Sequence, residues 1–230
     1  MVGMMRSLAL GLLERASPRG FAAVAGVVGT VAAVPGALDT FGVIDSPAFD
    51  LNGERNVPTV VTTLLLLTAS AAALAHWFAT DGGEMGRWER RTNLFVMALF
   101  GYMAADEFGQ LHEKAEHVSG IDWQTLFLPV FVAAAAAVVV VLRAWRGRPV
   151  ARTLLVTGSV VWFLSQVAEH LEYDSHDVEV EGFQYYVLFE EVLELVGTTL
   201  FVSAFIHAGR WALRRRIERH TAVVSAPVSP

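Results

Sequence analysis

Long apolar runs alternate with short polar breaks along the whole chain. Six runs have the length that crosses a hydrocarbon core as helix, about 20 residues each. They cover about 20–39, 58–79, 92–113, 124–143, 152–172 and 184–209. The breaks are short, so consecutive spans should pack antiparallel in one all-α bundle. Residues 1–220 are therefore expected to form a single membrane domain, with 221–230 a disordered tail. Ser17-Pro18 suits the cap and first turn of the first span. Pro35-Gly36 should bend that span near its end. The small residues of "VAAVPGA" give no clean cleavage site after the apolar run, so the first span is read as retained rather than as a signal peptide.

Composition agrees with the pattern. Of the 230 residues, 54% are hydrophobic and 17% charged. The mean hydropathy is +0.46, too apolar for a soluble domain of this size. There is no cysteine, which excludes disulfides, thiolate metal sites and cysteine nucleophiles. The net charge of −6 hides an asymmetry. With both termini placed in the cytoplasm, 15 of the 17 basic residues fall on that side and only Arg55 and Lys114 lie outside. This is the positive-inside pattern, and it accounts for the basic segments without nucleic acid. The location expected is a plasma membrane of bacterial or archaeal type, with the bilayer as constant partner. The opposite loops are acidic and would concentrate cations there.

Polar residues inside the spans carry the candidate chemistry. At ~1.5 Å per residue, Glu107, Glu169 and Glu194 lie ~24–25 Å above the nearest inner arginine of their own spans. His112, Glu113, His170, Glu190 and Glu191 lie at ~28–33 Å. Helical periodicity groups Asp106, Gln110, Glu113 and His117 on the third span. It groups Gln166, Glu169, His170 and Tyr173 on the fifth, and Glu190, Glu191, Glu194 and Thr198 on the sixth. On a single straight helix, Glu107 and His112 point away from the third-span group. Ionisable side chains at membrane depth are costly and usually functional. Seven carboxylates with Lys114 as their one basic neighbour need protons or bound cations. The histidines turn that choice toward a metal.

The expectation is a metal-dependent membrane enzyme, a hydrolase or oxidoreductase, with a site facing the exterior. The candidate ligands are Glu113, Glu169, His170, Glu190 and Glu194. Asp106, Glu107, Gln110, His112, His117, Gln166, Tyr173 and Glu191 would support or replace them. Iron or manganese suits an oxygen-rich set, and zinc is permitted by the histidines. A lipid or small molecule could enter from the outer face as substrate. The arrangement resembles carboxylate-bridged dinuclear sites in helical bundles, where acids at i, i+3 face inward.

Two other readings stand beside it: a divalent-cation or proton transporter on the same acids, and a structural polar network. "EEVLE" (Glu190–Glu194) resembles the "REGLE" motif of membrane iron permeases over five residues, without its leading arginine. That resemblance implies cation transport. The inner halves of the spans are nearly wholly apolar, which favours a site open outward and closed inward.

"HEKAEH" (His112–His117) has its histidines five apart, where a zincin helix needs i and i+4. His76 and His207 read as interfacial histidines rather than haem ligands. The tryptophans read as an aromatic belt. Lys114 at a span rim offers no retinal Schiff base, and Ser159 and Ser165 lack a nucleophile elbow.

Overall fold

The structure is a computed structural model that describes residues 2–49, 56–80, 85–171 and 182–224. The described residues form helices and no strand. In chain order these are α1 (Val2–Arg15), α2 (Pro18–Thr40), α3 (Val57–Ala79), α4 (Arg87–Gly109), α5 (Leu111–Ser119), α6 (Trp123–Ala144), α7 (Pro149–His170) and α8 (Phe183–Val224). Five of them are long and apolar enough to cross a membrane: α2, α3, α6, α7 and α8. α4 has the length, but Arg87, Glu89, Arg90 and Arg91 occupy its first turns, and Asp106 and Glu107 its last.

Caps set several boundaries. The Ser17 hydroxyl accepts the amide of Gly20 as α2 begins, with Pro18 in the first turn. Asn56 Oδ1 accepts the Thr59 amide, and Asp122 Oδ2 accepts the Thr125 amide. α2 continues as helix through Pro35.

Three features depart from the apolar pattern. α1 is an additional helix, whose Leu13 is buried against Ala75, Ala79 and Ala212. α8 runs on well past residue 209 to Val224, into the segment expected to be a tail; 225–230 lie outside the described residues. The third predicted span, 92–113, breaks at Gln110, which takes a left-handed conformation (φ 52°, ψ 48°). Polar groups stabilise that break. Asp106 Oδ1 accepts the His112 amide at 2.8 Å and so caps the new helix. Lys114 Nζ donates to the Gly109 carbonyl at 2.6 Å and satisfies the end of the old one.

α8 is the axis of the bundle and packs on α7, α3, α2 and α1, while α4 packs on α3 and α6. α7 and α8 cross on two glycines. A Cβ at Gly197 would lie 3.1 Å from the Trp162 backbone nitrogen and 3.3 Å from the Gly158 carbonyl oxygen. A Cβ at Gly158 would meet Leu200 and Phe201 side-chain atoms at 3.1 Å. Small residues allow such close backbone approach, the usual basis of helix pairing in lipid. α6 stands off from α7 although only residues 145–148 join them.

A large cluster of buried apolar side chains, including Trp145, Phe201 and Phe205, reaches the arginine-bearing ends of α4, α7 and α8. It encloses a polar chain. Arg148 NH1 lies 2.8 Å from His76 Nε2, His76 Nδ1 lies 2.9 Å from Asn93 Oδ1, and Asn93 Nδ2 donates to the Ala73 carbonyl at 2.8 Å. Arginine only donates, so Nε2 accepts and the ring proton sits on Nδ1. His76 is therefore neutral, and it is fully buried rather than interfacial.

Candidate functional site: a carboxylate-lined cavity

A cavity of about 1280 Å³ opens among α4, α5, α6, α7 and α8 and reaches the first turns of α3. Every residue singled out above for the site lines it, apart from Tyr173, which lies outside the described residues. Glu113, His117, His170 and Glu190 are among its lining residues. Glu113 accepts a hydrogen bond from Gln110 Nε2 at 3.1 Å. Further along, Glu191 of the same helix, Glu169 of α7 and Asp106 of α4 each act electrostatically on Glu194 of α8. Among the described residues Lys114 is the only lysine or arginine in the wall.

Asp106, Glu169 and Glu194 are held by neutral donors and one histidine. Trp123 Nε1 donates to Glu169 Oε1 at 2.9 Å. Gln166 Nε2 donates to Glu194 Oε1 at 3.3 Å. His112 Nδ1 lies 3.2 Å from Asp106 Oδ2. These contacts orient the acids. The acids and histidines are also spread around the wall: among the described residues no three His, Asp or Glu side chains already lie together as an ion site.

Two parts of this arrangement lie beyond a helical-wheel reading. His112 returns to Asp106 because Gln110 breaks the helix and α5 turns back, so its expected direction on a straight helix does not hold. α6 contributes Trp123 and Gln124, whose amide donates to the Gln166 carbonyl at 3.1 Å. Trp123 had the look of a belt residue; the carboxylate opposite it lies 46 positions away in sequence.

His112 carries a pH dependence. Burial alone would lower its pKa, but the hydrogen bond and charge of Asp106, then Glu169 and Glu113, raise it above 6.5. A raised folded value means docking favours the protonated ring. The contribution is complete below the ordinary histidine value and is lost as pH rises through the raised one. Protection of the α5 amides, taken relative to their intrinsic base-catalysed exchange, is expected to fall across that window in the native chain. Asp106→Asn should flatten the profile, and an unchanged profile would refute the role given to the pair.

Deeper than Glu194 the wall is apolar, with Leu66, Val138, Leu155, Phe201 and Phe205, apart from a few hydroxyls. Every wall residue falls between Thr59 and Phe205. A family match spans that interval, at residues 20–208. The chain belongs to the DUF8692 family, a domain of unknown function. No curated protein and no solved structure matches it. The DUF8692 region contains the whole cavity and leaves out α1 and the last turns of α8. The basic extension of α8 past residue 208 lies outside the matched interval.

Proposed function

We propose that this DUF8692 protein is a six-span membrane protein that binds a cation in an outward-facing cavity, and that the cation is a divalent metal serving an enzymatic site. α4 is the sixth crossing. Its stretch from Thr92 to Ala105 carries no charge, and it lies against α3 and α6, both apolar enough to cross. The distribution of arginines supports cytoplasmic termini.

One observation carries the functional reading. Asp106, Glu169 and Glu194 come from three helices to one cavity in whose wall, among the described residues, Lys114 is the only lysine or arginine. Carboxylates so placed are stabilised by a bound cation. His112, Glu113, His170 and Glu190 extend the set of donors around the same wall, and iron, manganese or zinc suits carboxylate with imidazole. A metal there would supply Lewis-acid or redox chemistry. The apolar wall beyond Glu194 favours a binding site over a through-path for ions.

Elemental analysis tests this directly. Purified protein reconstituted with iron, manganese or zinc should retain stoichiometric metal, and Glu169→Ala/Glu194→Ala should lose it with the fold intact. A native chain that binds none of the three ions sinks the reading. Orientation is separately testable, because the chain has no cysteine of its own. Val118→Cys and Ile217→Cys lie at exposed positions. A membrane-impermeant thiol reagent added to intact cells should label the first and spare the second.

A further inference from the structure

Arginines at the ends of membrane helices often do no more than set orientation. Three of them here converge on one place. His207, Arg210 and Arg214 follow one another at i, i+3 and i+7, so they share a face of α8. The start of α2 lies against that helix: Arg210 NH1 donates to the Ala16 carbonyl, just before the Ser17 cap. Arg19, in the first turn of α2, is brought to the same spot. Arg210, Arg214 and Arg19 all act electrostatically on the His207 ring. Arg19 and Arg214 are exposed, and among the described residues neither has an ion-pair partner. Positive charge is thus concentrated where α2 meets α8 without a carboxylate to neutralise it.

The surface that leads away from this charge is apolar. Val24, Val27 and Val31 of α2 are exposed. A shallow furrow of about 440 Å³ runs along α2 past Gly26, lined by Ala23, Val27, Thr30 and Val31. Thr30 spends its hydroxyl on the Gly26 carbonyl, so it offers the furrow no free donor. Arg19, Ala23, Gly26 and Thr30 are spaced at i, i+4, i+7 and i+11, which places arginine and furrow on one stripe of the helix. From Arg19 to Thr30 α2 rises ~16 Å, about half of a ~30 Å hydrocarbon core. The furrow therefore has the reach of one leaflet's acyl chains, and the arginines lie at the depth of that leaflet's phosphates.

We infer that a phospholipid of net negative charge binds where α2 meets α8, with its phosphate held by Arg19, Arg210 and Arg214 and an acyl chain along the Gly26 furrow. Guanidinium matches phosphate oxygens with paired hydrogen bonds, and the three arginines supply the charge complementarity. A zwitterionic head would bring its own ammonium to a place that already holds three cations, and so binds less well. The site lies apart from the carboxylate cavity and needs no metal.

Native mass spectrometry of the detergent-solubilised full chain, titrated with dioleoylphosphatidylglycerol, tests this. One lipid per chain should bind saturably, and dioleoylphosphatidylcholine, with the same acyl chains, should bind about tenfold more weakly. Arg19→Gln/Arg214→Gln should weaken phosphatidylglycerol binding about tenfold or more, at roughly a factor of five for each arginine beside an anionic leaflet. Arg143→Gln/Arg146→Gln removes the same charge from exposed positions at the end of α6 and should leave binding unchanged. Gly26→Phe, where a Cβ meets nothing within 4 Å, fills the furrow and should weaken binding severalfold while the thermal melt stays as in the native chain. Equal binding of the two lipids overturns the inference. So does an equal loss in the Arg143/Arg146 variant, which would mean diffuse attraction to basic residues. Displacement of phosphatidylglycerol by inorganic phosphate, with Gly26→Phe binding as the native chain does, means a free-anion site and overturns the lipid.

Discussion

Gly197→Leu should be the most damaging single substitution in the bundle, lowering stability by about 3 kcal/mol or more. Its Cβ would meet the Trp162 backbone nitrogen and the Gly158 carbonyl oxygen, neither of which can rotate away. The helices must part instead. For a chain of this size the loss corresponds to a fall of ~10 °C in melting temperature. Gly197→Ala asks for a shift of only a few tenths of an ångström and should cost markedly less. The damage should reach the cavity, because Gly197 lies one turn beyond Glu194 on α8 and the displaced α7 carries Gln166 and Glu169. Thermal melts of the Ala and Leu variants, each with its metal content, check both parts. A Leu variant as stable as the Ala variant would remove the glycine contact from the account of the fold.

Asn93→Leu is expected to cost about 2–3 kcal/mol although it adds an apolar side chain to an apolar surrounding. The substitution removes the acceptor of the His76 Nδ1 proton, and that ring is fully buried. The ring cannot escape by shifting its proton, because Arg148 offers its own hydrogen to Nε2. His76→Phe/Asn93→Leu should cost less than the sum of the two single changes, since it removes both partners of one bond. Additive losses in a denaturation series would show that the pair does not act as a unit. The same chain ties together α3, α4 and the start of α7, and Arg148 also stacks on Trp211 of α8 at 4.4 Å. Its loss should therefore loosen the arginine end of the bundle as a whole.

Apolar run length predicted where five of the long helices lie, because crossing a membrane imposes a length on sequence directly. It could not separate α4 from α5. That break depends on a side-chain cap from Asp106, which periodicity reads as one more polar position. α1 and the last turns of α8 were missed for a related reason: their helicity comes from packing and polar composition, and neither makes an apolar run. The cavity residues were legible because acids and histidines at membrane depth are conspicuous. Trp123 and Gln124 were not, since a tryptophan at the start of a span has an ordinary interfacial explanation. His76 was misread as interfacial because the partners that bury it, Asn93 and Arg148, are brought to it only by the fold.

The spacing between charges on α8 has a consequence for the membrane itself. From Glu194 to Arg210 the helix rises ~24 Å. Glu169 to Arg152 on α7 gives nearly the same figure. A typical hydrocarbon core is ~30 Å thick. With the chain crossing as proposed, both carboxylates sit inside the hydrocarbon thickness while facing the cavity rather than lipid. Water must then follow them inward through the cavity. The layer that insulates the two aqueous sides on this side of the bundle is therefore the ~24 Å of helix between carboxylate and arginine, thinner than the surrounding bilayer.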